Sequence, residues 1–363
     1  YLYNFDALNT YKKALRDFQD SQSPAGHIPS TVPSVGWGYV HEDGSLDYWD
    51  DPWWGGSIFL LADKLYLYTG DAGVLESAFP SLKAYVDFLS STAEDHIISW
   101  SLGDWLDLNP DPNSQASNLT PVAQTSTAGY YWMSRKLADY AQILGYDKRL
   151  SEHYRELADS IKDKFNREFL DYETGIYAEN SQTAQALPLA LGLVPDEMKE
   201  KVRQRLLNAI DMRNGHISAG FIGGNFTMDY LPGNGYFDVA YKMLTQPESP
   251  GWLHMVRSSK STMSESINLN GPGSGHHPYG AYIGFWLYKY LGGIRADEDK
   301  PGFREFIIEP GLGSGLEEAC TSYHSLYGEI VSAWKKRGDR ITLTIRVPAN
   351  SVAELILPSE MIG

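Results

Sequence analysis

The sequence predicts a mainly α-helical chain, a toroid of paired helices, followed by a smaller antiparallel β-sandwich-like module. Three observations carry this. Apolar residues recur at three- and four-residue spacing through most of residues 1–294. Long loops rich in Trp, Asp, Gly and Pro return about once per helix pair. After Gly293 the pattern switches to strand-like alternation, which divides the chain into residues 1–294 and 295–363.

Leu8 to Phe18, Ile58 to Tyr68, Leu82 to Leu89, Gly129 to Leu144, Tyr154 to Phe165, Met198 to Ile210 and Tyr279 to Tyr290 read as helices with one buried face. Several end in a glycine stop, as in Tyr68-Thr69-Gly70-Asp71 and Ile143-Leu144-Gly145-Tyr146. The long loops are Gly26 to Gly56, Trp100 to Thr120, His216 to Asn234 and Gly251 to His277. A ring of hairpins produces this rhythm when its long loops gather at one end around a central pit. In the β-module, Phe306 to Pro310, Gly328 to Trp334 and Ile341 to Pro348 alternate, with Lys336-Arg337-Gly338-Asp339 as a turn. The module stops abruptly at Gly363 and is expected to be incomplete.

With 363 residues, 42% of them hydrophobic and 21% charged, the chain can bury one large core plus an appendage. A net charge of −16 argues against nucleic acid, whose binding needs a concentrated cationic surface. The single cysteine, Cys320, excludes an intrachain disulfide and cysteine-based zinc or redox motifs. The histidines form no HExxH pattern, so no metal or other cofactor is expected. No apolar run reaches membrane-spanning length. The start, Tyr1-Leu2-Tyr3, has neither an initiator Met nor a signal layout, so the chain reads as an excerpt of a longer protein. Compartment and oligomeric state stay undecided. The 13% aromatic content supplies flat faces that pack cores and also stack on sugar rings, which makes carbohydrate the natural partner.

Four constellations could carry chemistry. Asp50-Asp51-Pro52-Trp53-Trp54-Gly55-Gly56 sets carboxylates beside indoles, as sugar binding requires; it reads equally as a helix cap with a core Trp. Ser101 to Asp107, with Asp104 and Trp105, is either a second such contact or a type I turn with a buried Trp. The closely spaced glycines of His216 to Asn225 suit close helix packing near the pit better than a dinucleotide site. Finally, Glu265 stands among small polar residues, followed by His276 and His277. Together with Asp104 and Trp105, it supplies a carboxylate base, orienting groups and a stacking wall. Glycoside hydrolysis by inversion needs these, plus a second carboxyl group about 6.5–9.5 Å away as the acid. A serine hydrolase fits poorly, since no G-x-S-x-G elbow occurs and Gly313-Ser314-Gly315 reads as a turn.

Taken in order, these motifs resemble the catalytic domain of bacterial-type α-L-rhamnosidases of glycoside hydrolase family 78, over nearly the whole chain. Asp17-Phe18-Gln19-Asp20-Ser21-Gln22 and Gly26-His27-Ile28-Pro29 match that family's D-x-x-x-S/A-Q and G-x-I/V-P patterns. Trp54-Gly55-Gly56 falls at its W-G-D, Gly103-Asp104-Trp105 at its G-D-W, and His216 to Gly223 at its H-L-S-T-G-F-x-G. Thr262-Met263-Ser264-Glu265 lines up with T-x-W-E, and Gly292-Gly293-Ile294 with A-G-I.

The resemblance implies an (α/α)6 barrel, or six-hairpin toroid, followed by a β-sandwich-like domain, and inverting removal of a terminal α-L-rhamnosyl residue. It makes Glu265 the general base, Trp54 and Trp105 the walls for the sugar's face and methyl group, and Asp104 with His276 or His277 the hydroxyl contacts. The sequence departs from the family at three points. Ser264 replaces a Trp, Gly56 replaces an Asp, and nothing here matches the motif that carries the general acid, which is expected upstream. Two rivals follow: another toroidal glycosidase, such as a glucuronyl hydrolase, and a non-catalytic carbohydrate-binding toroid.

Overall fold

The structure is a computed structural model that describes residues 2–34, 36–41, 45–108, 111, 115–258, 262–268, 273–277, 282–313 and 315–357. Residues 278–281, at the head of the expected helix Tyr279 to Tyr290, and Ser314 of the expected turn lie outside the described residues.

In chain order the helices are α1 (Leu8–Asp20), α2 (Pro52–Gly55), α3 (Ser57–Thr69), α4 (Ala72–Thr92), α5 (Val122–Ile143), α6 (Lys148–Phe169), α7 (Gln182–Leu191), α8 (Lys199–Asp211), α9 (Phe221–Gly233), α10 (Phe237–Leu244), α11 (Trp252–Arg257) and α12 (Ile283–Trp286). The last continues into a π-helical turn, Leu287–Leu291. Neighbours pack in sequence: α3 on α4, α4 on α5, α5 on α6 and α7, α7 on α8 and α9, α9 on α10. Helices α5, α7 and α9 are buried over most of their length, whereas α6 and α8 keep a broad solvent face. The former therefore line the inside of the ring and the latter its outside. Gly70 and Gly145 are left-handed, as the glycine stops predict.

Three expected loops hold helices. His216 to Asn234 contains α9, Gly251 to His277 contains α11, and Gly26 to Gly56 ends in α2. In α9 the reason is burial: Phe221–Gly233 presents no sustained polar face, so it carries no visible helical period, and its glycines mimic a loop. Those glycines are packing devices, as suggested for the His216 to Asn225 stretch. A Cβ on Gly223 would fall far inside van der Waals contact with the Thr183 side chain of α7, so the inner helices meet only because position 223 is Gly.

Strands β1 (Leu170–Asp171) and β2 (Ile176–Tyr177) form a small hairpin between α6 and α7. Beyond the ring come β3 (Ile294–Ala296), β4 (Glu305–Ile308), β5 (Glu318–Ser325), β6 (Gly328–Arg337), β7 (Arg340–Arg346) and β8 (Val352–Leu355). They make two three-stranded sheets, β3-β4-β8 and β5-β6-β7. Every ladder is antiparallel except β4 with β8. The predicted turn closes the β6–β7 hairpin, Arg337 pairing with Arg340 around a left-handed Gly338. Tyr3, Phe303, Phe306, Tyr323 and Ile330 share one apolar cluster, with Phe285 and Tyr288 packed against it, so the β-module is seated on the helical ring. The Tyr3 hydroxyl donates to the Ile294 carbonyl at 2.7 Å.

Candidate active site

The starts of α2, α5, α7 and α9, each preceded by a loop, converge through shared contacts. Asp51, fully buried, caps α2: its carboxylate accepts from the backbone N–H groups of Trp53 (2.7 Å) and Trp54 (3.2 Å). It also accepts from Leu102 N–H at 3.0 Å, which ties the loop leading to Asp104 onto α2. Burial pushes Asp51 up to about 7, against the pull of those donors. The two adjacent indoles then part. Trp53 turns into the core, stacks on Trp132 and donates its ring N–H to the Thr125 carbonyl at 2.8 Å. Trp54 stays half-buried, its ring parallel to Phe221 at 6.0 Å. Helix cap, core packing and a half-buried ring thus belong to different residues of one segment.

Asp104 is fully buried. One carboxylate oxygen accepts from Ile222 N–H (3.0 Å) and Gly223 N–H (2.9 Å); the other accepts from Gly220 N–H (2.9 Å) and the Thr183 hydroxyl. It therefore holds the first turn of α9 and cross-links it to α7, an anion at a helix N-terminus. Burial nevertheless raises its pKa, the four donors opposing. Both oxygens are occupied and the residue has no exposed surface, so in this structure Asp104 holds the start of α9 in place. Asp107 behaves alike: it accepts from the N–H groups of Asn118 and Leu119, and burial raises it to about 6.

Trp105 is 8% exposed and clusters with Leu102 and Leu106, against which Trp49, Trp54 and Phe221 pack. Phe221 N–H donates to the Trp105 carbonyl at 2.9 Å, so the G-D-W loop and the start of α9 are locked together.

Glu265 sits on a backbone-paired loop. Its N–H donates to the Ser274 carbonyl, and His277 N–H donates to the Met263 carbonyl, both at 2.9 Å. The Glu265 carboxylate is half-buried and accepts from Ser274 N–H at 2.6 Å. Gly273, at φ 116°, crosses above it; a Cβ there would lie 2.7 Å from the carboxylate oxygen. The same pairing sets His277 against Phe221, ring centroids 5.4 Å apart, while His276 is exposed. Trp54, Phe221 and His277 thus form a continuous ring surface next to the Glu265 loop.

Phe221 and Trp49 were missed in the sequence. Phe221 lies among the glycines of His216 to Asn225, and Trp49 immediately precedes the Asp50-Asp51 pair, so each is an aromatic neighbour of a Gly-rich or acidic motif. Asp50 is paired in turn with His27 at 2.8 Å, both fully buried, which anchors the Trp49 loop. A concavity of about 640 Å³ lies to one side, lined by Asn118, Glu179, Gln182 and Arg213 among others, and none of the anticipated site residues borders it.

Comparison with known proteins places these features in a family. Residues 1–291 match the bacterial α-L-rhamnosidase six-hairpin glycosidase domain, and residues 293–361 the bacterial α-L-rhamnosidase C-terminal domain. An α-L-rhamnosidase of Alteromonas sp. (strain LOR) is 27% identical over 99% of this chain and 39% of that protein. The structure of an α-L-rhamnosidase from Dictyoglumus thermophilum superposes with a TM-score of 0.89 at 31% identity, covering 98% of this chain and 39% of that one. The Streptomyces avermitilis α-L-rhamnosidase complexed with L-rhamnose gives 0.86 at 26% identity, covering 99% and 34%. The chain spans about two fifths of the length of the curated relatives it matches. By fold, by motif order and by the match of both its parts, this chain belongs to the bacterial α-L-rhamnosidase family.

Proposed function

We propose that the chain forms most of the catalytic unit of an inverting glycosidase that removes terminal α-L-rhamnosyl residues, with Glu265 as the general base. The observation that carries this reading is the juxtaposition of the half-buried Glu265, whose carboxylate accepts from Ser274 N–H, with the Trp54–Phe221–His277 ring surface. A base needs an oxygen open to water and a substrate held against it, and the rings supply the apolar wall for a deoxysugar's methyl group. Trp105 backs that wall, and His277 is the better placed of the two histidines to reach a hydroxyl.

The acid is assigned to a part of the protein outside this chain. Asp51 and Asp107 have the raised pKa values of a proton donor, about 7 and about 6. Their oxygens face backbone N–H groups, however, and a carboxyl group in that position cannot protonate a glycosidic oxygen. The same reading puts the boundary between catalytic and C-terminal units beside β3, next to the expected 294/295 division.

The test uses the full-length protein and an aryl α-L-rhamnoside. Glu265→Gln is expected to lower kcat by about 10²–10⁴-fold, and NMR of the first product should show the inverted anomer. Near-parental activity in the variant, or a retained anomer, rejects the assignment. Faster cleavage of a different aryl glycoside would keep the base and change the sugar.

A further inference from the structure

We propose that Trp37, Trp49 and Tyr48 form the leaving-group platform of this site, a stacking surface for a cyclic aglycone. The inference rests on the reading of the pit as a glycosidase site and extends it outward. A ladder of rings starts at the buried Trp105. Trp105, 8% exposed, meets Trp49 edge-on at 5.7 Å, and Trp49 stacks on Trp37 at 5.3 Å with 20° between the ring planes. Tyr48 meets Trp49 edge-on at 5.3 Å. Along this path burial falls away: Trp37 is 49% exposed and Tyr48 69%. Isolated exposed aromatics are ordinary, but a contiguous set leading from a pit to solvent marks a surface that meets a ligand.

The backbone presents these rings firmly. Trp37 stands between Gly36 (φ 102°) and Gly38 (φ 70°), and a Cβ at position 38 would lie 2.6 Å from Ser30 N. The Ser34 hydroxyl donates to the Trp37 carbonyl at 3.2 Å and accepts from Gly36 N–H at 3.1 Å, closing the turn on itself. Asp47 N–H donates to the Tyr39 carbonyl and His41 N–H to the Ser45 carbonyl, so Tyr48 and Trp49 leave a short paired segment. The buried His27–Asp50 pair anchors its far end. An indole held outward this way loses little freedom when a ring stacks on it. The occupant follows from continuity: a sugar against Trp54, with Trp105 behind it, extends its glycosidic oxygen toward solvent, where the next rings of the ladder stand.

The test compares p-nitrophenyl and methyl α-L-rhamnoside with the full-length parent and the Trp37→Ala, Trp37→Phe and Tyr48→Ala variants. The aryl-to-methyl ratio of kcat/KM should fall about three- to tenfold in Trp37→Ala, through KM, and less in Tyr48→Ala. Trp37→Phe, which keeps a ring, should restore most of it. An unchanged ratio, or a Phe variant as impaired as the Ala variant, overturns the platform. If the parent cleaves no α-L-rhamnoside, the rhamnosidase reading fails separately, and the platform is decided by calorimetric binding of an aryl and alkyl glycoside panel. Loss of an aryl preference in Trp37→Ala supports it; equal binding by parent and variant, or none by the parent, overturns it.

Discussion

Two kinds of carboxylate belong to the candidate site, and they are held in different ways. Asp51 and Asp104 stand at the starts of α2 and α9, fully buried, accepting three and four hydrogen bonds from the chain. Glu265 stands on a loop, half-buried, with its carboxylate accepting from one N–H in its own loop. The aspartates organise helix ends, whereas Glu265 is held within its own loop. Both kinds are carboxylates in aromatic company, so what distinguishes them among the described residues is which part of the chain holds each one.

The largest expected effect would break this distinction if it failed. Asp104→Ala removes the acceptor for three backbone N–H groups and a hydroxyl at a dry helix junction, and should cost about 3–5 kcal/mol of stability, read from urea unfolding. A loss under about 1 kcal/mol accompanied by lost activity would instead return Asp104 to direct sugar contact.

The next effect is a pH dependence. Burial raises Asp51 to about 7 and Asp107 to about 6 from 3.8 in the unfolded chain. Between those limits the folded state holds protons that the unfolded state has released. Their stabilisation is therefore complete below about pH 4 and is lost as pH rises through 6 and 7, at up to about 1.4 kcal/mol per pH unit for each group. Asn at either position can still cap through its amide oxygen but does not titrate. The difference in unfolding free energy between parent and Asp51→Asn should consequently fall from pH 4 to 7 and then level off. A difference that rises over this interval would mean the N–H donors outweigh burial.

What was legible in the sequence follows from the same contrast between local and distant causes. Outer-facing α1 and α6 announce themselves by period, because half of each helix meets water. Helices α7 and α9 do not, being buried along most of their length and containing Pro and Gly where their neighbours press close. Strand β5 carries a weak signal because Glu318–Ser325 alternates between exposed and half-buried positions, apart from the buried Tyr323, with few apolar residues. Trp54, Trp105 and Glu265 stand out in the sequence as residue types in suggestive company. The role of Asp104 does not, since its donors come from Thr183 and Gly220 to Gly223, brought to it only by the packing of α7 against α9.

The adjacent histidines give the smallest and sharpest test. Sequence alone left His276 and His277 equivalent; the pairing of the Glu265 loop places His277 against Phe221 and leaves His276 exposed. A side chain that packs on the ring surface and offers one hydrogen bond to a sugar contributes on the order of a tenfold factor in kcat/KM when deleted. Deleting an exposed neighbour whose backbone stays paired should change it by less than about twofold. His277→Ala and His276→Ala, assayed side by side on one aryl α-L-rhamnoside, therefore report which face of the loop meets substrate. The reverse order would put the sugar on the His276 side and count against the proposed pairing of Glu265 with the Trp54–Phe221 wall.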